Sequence, residues 1–210
     1  MNQIKEKSSK EQMTASELRK KWKTTKKMDN VILFYGSNAR YNYACFSNFF
    51  PHNPFKYTIS LGLMKGTVVQ IPFSEMAIML EKASLMGNKQ SFEKIINLNQ
   101  DNHQMKGIKK QKKVKALGRQ VTPWDQNKWD KNVCLIAKTV VTQKFKKVPG
   151  LKQILLKTGD SIIAEAAPRD KNWGIGMGMS NLNAKTPSKW KGANILGWAL
   201  MEARRELSHT

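Results

Sequence analysis

Hydrophobic and polar positions change their spacing along this chain, and the spacing predicts where strands and helices lie. Residues 31–36 form a short apolar run, VILFYG, which is typical of a buried strand that ends at Gly36. Residues 55–73 carry β-branched and aromatic residues on both sides of the pair Lys65-Gly66, which predicts a hairpin with its turn there. A further buried strand is predicted over residues 161–167, SIIAEAA.

The rest of the pattern is helical. Between Ser74 and Gly87 apolar residues recur every three or four positions, which predicts a helix with Ser74 as its cap and Gly87 after its end. The same spacing predicts further helices over residues 91–98, 103–118, 131–145 and 151–158, and from about Asn194 onward. Many helices with few short strands predict an α+β fold class, a helix-rich single domain around a small β-sheet.

Residues 1–28 differ from the rest of the chain. A short helix is predicted where Thr14 and Glu17 have the spacing of a capping box. Beyond Trp22 nothing apolar anchors this segment. We therefore expect a basic, partly disordered N-terminal arm over residues 1–28, followed by the domain over residues 29–210.

The chain is strongly basic, with 37 Lys and Arg residues against 15 Asp and Glu and a formal net charge of +22. Residues 1–28 carry +6 of this charge, nine basic against three acidic residues, so +16 belongs to the domain itself. Such an excess attracts polyanions, either nucleic acid or phosphorylated small molecules. A lysine-rich surface that only keeps the protein soluble is the alternative. Residues 106–119 hold seven basic residues and no acid, which is typical of a solvated helix face.

Composition narrows the class of protein further. A hydrophobic content of 40% argues against intrinsic disorder, and no apolar run is long enough to span a membrane. The N-terminus lacks the apolar segment of a secretory signal. Only Cys45 and Cys134 are present and the three histidines are scattered, so we predict no disulfide scaffold, no metal site and no cofactor. These features predict a cytoplasmic protein with no membrane partner.

Candidate chemistry lies in residues 167–178, APRDKNWGIGMG, just after a predicted strand. The glycines match neither the dinucleotide-binding nor the Walker pattern, so a nucleoside triphosphate site has little support. Taken singly, Asp170 is explained by a turn, Trp173 by the core, and Glu75 by the dipole of the helix in whose first turn it stands. Taken together, two carboxylates beside an aromatic platform suit cleavage of a glycosidic bond. One carboxylate stabilises the cationic sugar while an acid protonates the leaving group.

The order of several segments resembles a known family: FYG…FSNFFP…PFSE…KALGR…LLKTGD…IAEAAPRDKNWGIGMG…GANILGWALMEAR. On these segments the chain is similar to the NADAR superfamily, also called YbiA-like, from about Val31 to Leu207. The blocks EAAPRDKNWGIG and GANILGWALMEAR are the most specific. The resemblance implies an α+β fold and an N-glycosidase that hydrolyses the bond between a phosphorylated ribose and a base.

The resemblance also implies which residues form the site. The family's acidic and aromatic positions fall on Glu75, Asp170 and Trp173, which we expect to be catalytic. Glu75 would act near C1′ of the ribose, Asp170 would orient hydroxyls or water, and Trp173 would stack on the base or wall off the sugar. Expected substrate-binding residues are Asn48, Gly174 and Gly176, with Arg169, Lys171 and Arg40 as candidates for phosphate contacts from their charge and sequence position.

One departure from the family bears on specificity. The family commonly has His-Tyr after the Ser-Glu pair, whereas this chain has Met76 and Ala77. If the family's pair contacts the base, the preferred base differs here.

Two substrate classes follow from the resemblance. One group of the family acts on ribosylamino-pyrimidine intermediates of riboflavin synthesis, and another removes ADP-ribose from ADP-ribosylated guanine in nucleic acid. The charge of +22 favours the second, since a small metabolite needs only a few cationic groups. We expect ADP-ribosylated nucleic acid as partner, bound partly through the basic surface, with a phosphoribosyl or NAD-derived small molecule as the alternative. A non-catalytic ADP-ribose or nucleic-acid binding module has no need of both Glu75 and Asp170.

Overall fold

The structure is a computed structural model that describes residues 13–26, 30–100 and 107–209. Seven α-helices and four short strands occur in these ranges. In chain order they are α1 Ala15–Thr24, β1 Val31–Phe34, β2 Phe55–Thr58, β3 Val68–Ile71, α2 Ser74–Leu85, α3 Lys89–Gln100, α4 Gly107–Arg119, α5 Gln126–Lys147, α6 Leu151–Leu156, β4 Ile162–Glu165 and α7 Ile195–Leu207. In the described part of the chain, none of the helices has the length and apolarity needed to cross a bilayer.

The strands form two separate pairs. β1 lies parallel to β4, in a register that runs from Val31 opposite Ile162 to Phe34 opposite Glu165. β2 and β3 form the predicted antiparallel hairpin, and Gly66 in its connection has a φ of +91°, which glycine adopts without strain. The predicted helix-rich α+β class is confirmed, with the small sheet divided into these two ladders.

Helix α2 forms the centre of the core. Eleven of its twelve residues are buried, all except Lys82, because α3, α4 and α5 pack around it. The predicted cap was wrong: Phe73 occupies the cap position without a side-chain hydrogen bond, and Ser74 is the first helical residue. The buried Ser74 hydroxyl has no hydrogen-bond partner among the described residues. The predicted helix at residues 103–118 is observed as α4, while its first four predicted residues lie outside the described ranges.

The N-terminal segment is folded onto the domain over the part that is described. The predicted capping box is present, since Thr14 and Glu17 exchange both hydrogen bonds at the start of α1. Leu18 and Trp22 are one helical turn apart and both are buried, with 0% and 3% exposed. The Trp22 indole donates to the carbonyl of Ala193 at 2.7 Å and packs on Trp190 at a centroid distance of 5.2 Å. The expectation that nothing apolar beyond Trp22 anchors the arm missed Leu18, which is buried as well. The other residues of the arm lie outside the described ranges.

Candidate active site

A cleft of about 330 Å³ lies between the carboxyl end of β4, the first turn of α2, the second half of α4 and the turn before α5. One wall carries the carboxyl groups of Glu75, Glu165 and Asp170. The cleft is also lined by cationic side chains and indole rings, and these are Lys82, Lys115, Arg119, Trp124 and Trp129. Trp173 and Asn48 also line the cleft. The three predicted catalytic residues thus lie in one cavity.

The backbone of Glu75 is hydrogen-bonded within the protein, whereas its side chain lines the cleft. Its N–H donates to the carbonyl of Asn48 at 2.8 Å, which ties the FSNF segment to the start of α2. Its carboxylate lies 3.6 Å from the Lys115 ammonium, its one ion pair within 4 Å among the described residues. Burial raises the pKa of Glu75, although Lys115 opposes the shift.

A second glutamate on α2 shows what a purely structural carboxylate looks like in this protein. Glu81 is fully buried and accepts hydrogen bonds from the Tyr57 hydroxyl, the Ser60 N–H and hydroxyl and the Leu61 N–H, at 2.6 to 3.2 Å. These bonds fasten α2 to the β2–β3 hairpin. Among the described residues Glu75 has no comparable set of donors, and its carboxylate lines the cleft beside Lys115.

Glu165 was missed by sequence reasoning. It is the last residue of β4, where its N–H donates to the Asn194 side chain at 3.1 Å and its carbonyl accepts from the Ile175 N–H at 2.9 Å. Burial, followed by the negative charges of Asp170 and Glu75, raises the pKa of Glu165 to about 8. At neutral pH this carboxyl therefore carries a proton. The sequence feature that could have indicated Glu165 is its position near the end of the predicted strand, in the block IAEAAPRD.

Asp170 organises the loop that follows β4. One of its carboxylate oxygens accepts from the N–H groups of Asn172 and Trp173, at 2.9 and 2.8 Å. The turn interpretation of Asp170 is thus correct, and the same residue also lines the cleft. Trp173 is half-buried and packs against the core while part of its ring faces the cavity.

Gly174 and Gly176, expected to bring backbone close to a substrate, pack against the protein instead. Neither lines the cleft. A Cβ at Gly174 would lie 2.8 Å from the carbonyl oxygen of Glu165. Gly176 has a φ of +68°, and a Cβ there would lie 3.1 Å from Lys191. These glycines allow the loop to fold tightly behind the carboxyl wall.

The GANILGWALMEAR block is the support of that wall. Asn194, fully buried, accepts from the N–H of Glu165 and donates to the carbonyl of Ile163 at 2.9 Å. A Cβ at Gly192 would lie 2.1 Å from the carbonyl oxygen of Gly174, and one at Gly197 would lie 2.1 Å from that of Ile163. Only glycine permits these close approaches. At Gly192 the approach is to Gly174, so the two most specific sequence blocks contact each other in the fold.

The predicted phosphate contacts are not in the cleft. Arg40, Arg169 and Lys171 are all exposed and lie outside its lining, because proximity in sequence to Asp170 does not set the direction of a side chain. The cleft cations come instead from the basic run, where Lys115 and Arg119 are four residues apart on α4, and from Lys82 on α2. The Lys82 ammonium lies 4.4 Å from the centroid of the Trp124 ring. Lys115 is half-buried and Arg119 is exposed, so these two residues of the partly solvated run also supply cations to the cleft.

The departure at residues 76–77 places two residues outside the cleft in this chain. Met76 and Ala77 are both fully buried in the core, with 0% exposed. Neither lines the cavity, whereas Met79 and Lys82 on the same helix do. In this chain the two positions therefore belong to the core under α2.

Helix α1 also reaches the loop of Asp170. The Arg19 guanidinium donates to the carbonyl of Lys171 at 3.1 Å and to the Asn172 side-chain oxygen at 2.7 Å. Asn172 lines the cleft. The N-terminal helix is thus part of the support of the site.

Comparison with known proteins gives three findings. The sequence model of the NADAR domain family matches residues 33–208. N-glycosidase R617 of Acanthamoeba polyphaga mimivirus is 34% identical over 179 residues, which cover 85% of this chain and 96% of that protein. An N-glycosidase of Nostoc punctiforme is 34% identical over 92 residues, 44% of this chain and 52% of its own. The NMR structure of YbiA from E. coli has the same fold, with a TM-score of 0.58 at 20% identity over 89% of this chain and 91% of that one.

Proposed function

Since this chain belongs to the NADAR domain family and is an N-glycosidase, as its named relatives are, we propose that it removes ADP-ribose from ADP-ribosylated guanine in nucleic acid. The observation that carries this proposal is the composition of the cleft. The same cleft holds carboxyl groups that suit cleavage of an N-glycosyl bond, three cations that suit phosphate, and indole rings that suit a base.

Glu165 is the proton donor in this proposal, because its pKa of about 8 keeps it protonated at neutral pH. The bond between C1′ and the base nitrogen breaks, its electron pair stays on the nitrogen, and the nitrogen takes the proton of Glu165. The positive charge that develops on the ribose faces the carboxylate of Glu75, which stabilises it.

Glu75 then completes the hydrolysis. Its carboxylate accepts a proton from a water molecule as the water oxygen bonds to C1′, and this proton finally returns to Glu165 through solvent. The products are free ADP-ribose and the unmodified base. Lys115 keeps Glu75 closer to its ionised form, because the ammonium opposes the effect of burial on the pKa of this carboxyl.

Lys82, Lys115 and Arg119 bind the phosphates of the substrate in this scheme. Arg119 offers a planar guanidinium that contacts two phosphate oxygens at once, while the two lysines act as compact charges. Trp124 and Trp129 lie 5.7 Å apart between their ring centroids, and together with Trp173 they supply the apolar surfaces for a base.

A second candidate substrate is a phosphorylated ribosylamino-pyrimidine. The cleft volume of about 330 Å³ favours it, since this is near the lower end of the range of about 300–1000 Å³ for small-molecule sites. The net charge of +22 favours the nucleic-acid substrate, because the cleft itself uses only three of the cations.

The test is a direct comparison of substrates. The full chain is incubated with a single-stranded oligonucleotide carrying one ADP-ribosylated guanine, with ADP-ribosylated guanosine, and with the ribosylamino-pyrimidine phosphate. Released sugar phosphate is quantified by mass spectrometry. Release of ADP-ribose from guanine at a higher kcat/KM than hydrolysis of the pyrimidine supports the proposal. Hydrolysis of the pyrimidine alone overturns the proposed substrate, and no hydrolysis of any of the three overturns the proposed function.

A further inference from the structure

The cleft is the first of three cavities that adjoin one another across the surface. A second cavity of about 420 Å³ shares Phe49, Lys115 and Arg119 with the cleft. A third cavity of about 710 Å³ shares Gly36 and Ser37 with the second. The mechanism proposed above uses only the first of them.

The third cavity, which we call the tyrosine pocket, is lined by Leu33, Tyr35, Tyr41, Tyr43 and Met179 besides polar loop residues. Tyr35 and Tyr41 are 53% and 64% exposed, a degree of exposure that packing in the core does not account for. The Tyr43 ring is fixed by stacking on Phe46, with centroids 5.1 Å apart and planes inclined by 27°. Exposed and fixed aromatic rings on one surface are the platform on which bases of single-stranded nucleic acid stack.

The middle cavity supplies positive charge between the cleft and the tyrosine pocket. Lys112, Lys115 and Arg119 line it, all from the face of α4 that points to this surface. Neither the middle cavity nor the tyrosine pocket has an Asp or Glu among its lining residues in the described part of the chain. A phosphate backbone that crosses this section meets cations and no opposing carboxylate.

We propose that these three cavities form one groove for single-stranded nucleic acid. The modified nucleotide lies in the cleft, the phosphate backbone crosses the cations of α4, and the base of a neighbouring nucleotide stacks in the tyrosine pocket. The inference rests on the proposed function for the position of the cleaved bond, and it adds the contacts that select a polynucleotide over a free nucleotide. The volumes support a polymer, because together they exceed the upper end of about 1000 Å³ for one small-molecule site.

Binding tests the groove without any turnover. The probe is an unmodified, fluorescein-labelled dT octamer, and its Kd is measured by fluorescence anisotropy. We expect Tyr41→Ala to weaken binding at least about fivefold, the lower range of loss for one stacked base, and Tyr41→Phe to stay within about twofold of wild type. Leu182→Ala is the matched control, since Leu182 is 98% exposed and lies outside all three cavities. Equal Kd values for Tyr41→Ala and Leu182→Ala would overturn the proposal.

The salt dependence of the same Kd tests the middle section. We expect Lys112→Gln to reduce the slope of log K against log salt concentration by about 0.7, the contribution of one phosphate contact on a single strand. Lys146→Gln is the control, because Lys146 is exposed on α5 and lines none of the three cavities. An unchanged slope for Lys112→Gln would contradict the placement of the backbone.

Turnover distinguishes a neighbouring base from the adenine of the ADP-ribosyl group itself. We expect Tyr41→Ala to raise KM at least about fivefold for an octamer with one ADP-ribosylated guanine and to leave KM for ADP-ribosylated guanosine within about twofold. An equal loss on both substrates would place the adenine in the tyrosine pocket and overturn the proposal. If wild type cleaves neither guanine substrate, the proposed function fails, and the two binding measurements then decide on the groove alone.

Discussion

The two sides of the cleft are built in different ways. The carboxyl wall stands on strand and helix ends, and its backbone is held by short hydrogen bonds such as those from Glu75 to Asn48 and from Glu165 to Asn194. The cationic side consists of long side chains from helix surfaces, and Lys115 is 38% exposed at its side chain. Fixed groups suit bond cleavage, which requires exact placement, whereas flexible cations suit phosphates that arrive in varied geometry.

The two sides nevertheless depend on one another. Burial raises the pKa values of Glu75 and Glu165, the negative charge of Asp170 adds to both shifts, and the Lys115 ammonium opposes both. The largest charge effect on the pKa of Glu75 comes from Lys115, which lowers it, whereas the largest on the pKa of Glu165 comes from Asp170, which raises it. The predictions that follow separate the contribution of each side.

The largest effect is expected at Glu75. Glu75→Gln keeps the shape of the side chain and removes the charge that faces the ribose, so kcat should fall by about 10³-fold or more, with an unchanged melting temperature. Steady-state hydrolysis of the ADP-ribosylated oligonucleotide measures this. Glu93→Gln is the control, because Glu93 is an exposed glutamate on α3 that pairs with Lys89 and does not line the cleft. Activity of Glu75→Gln equal to that of the control would disprove the assignment.

Glu165→Gln should have the next largest effect. Loss of the proton donor should lower kcat by about 10²-fold. In wild type kcat should fall as the pH rises through about 8, where the donor loses its proton, and this alkaline limb should be absent in the variant. The measurement is a pH profile of kcat for both proteins. An alkaline limb retained in Glu165→Gln would assign the proton donor to another group.

Stability against pH gives an independent check on the same residue. The pKa of Glu165 is raised from 4.5 to about 8, so folding binds its proton more tightly. Its stabilising effect is complete below about pH 4.5 and is lost as the pH rises toward 8, by up to about 1.4 kcal/mol of unfolding free energy per pH unit. Urea unfolding at pH 5, 6.5 and 8 should therefore give a flatter dependence for Glu165→Gln than for wild type.

The smallest catalytic effect is expected on the cationic side. Lys115→Gln removes a phosphate contact, so KM should rise about tenfold. It also removes the cation that opposes the raised pKa of Glu75, so the acidic limb of the pH profile should move to higher pH. Lys113→Gln is the control, since Lys113 is exposed on α4 and does not line the cleft. A fall in kcat alone, with KM and the acidic limb unchanged, would show that Lys115 neither binds phosphate nor lowers the pKa of Glu75.

Much of the fold could be predicted from hydrophobic spacing. The hairpin, the paired strands and the helices from α2 to α7 follow patterns of two, three or four residues, and these patterns report local burial directly. The ends of the helices were less predictable, because a cap depends on the backbone angles of the preceding segment. Ser74 was predicted as the cap of α2, but Phe73 occupies that position. Helix α1 was predicted but its docking was not, since two apolar residues, Leu18 and Trp22, give no sign of the surface they cover.

For the site, the sequence by itself contained the blocks that identify the family. These blocks pointed to Glu75, Asp170 and Trp173, which all line one cavity. The sequence also determined the net charge of +22, which favours anionic partners. Only the tertiary structure decided which cations face the cleft, because Lys115 and Arg119 reach it through the packing of α4 on α2, far along the chain from Asp170. It likewise decided that the pKa of Glu165 is raised, since this shift follows from burial and from the negative charges of Asp170 and Glu75, and local sequence specifies neither.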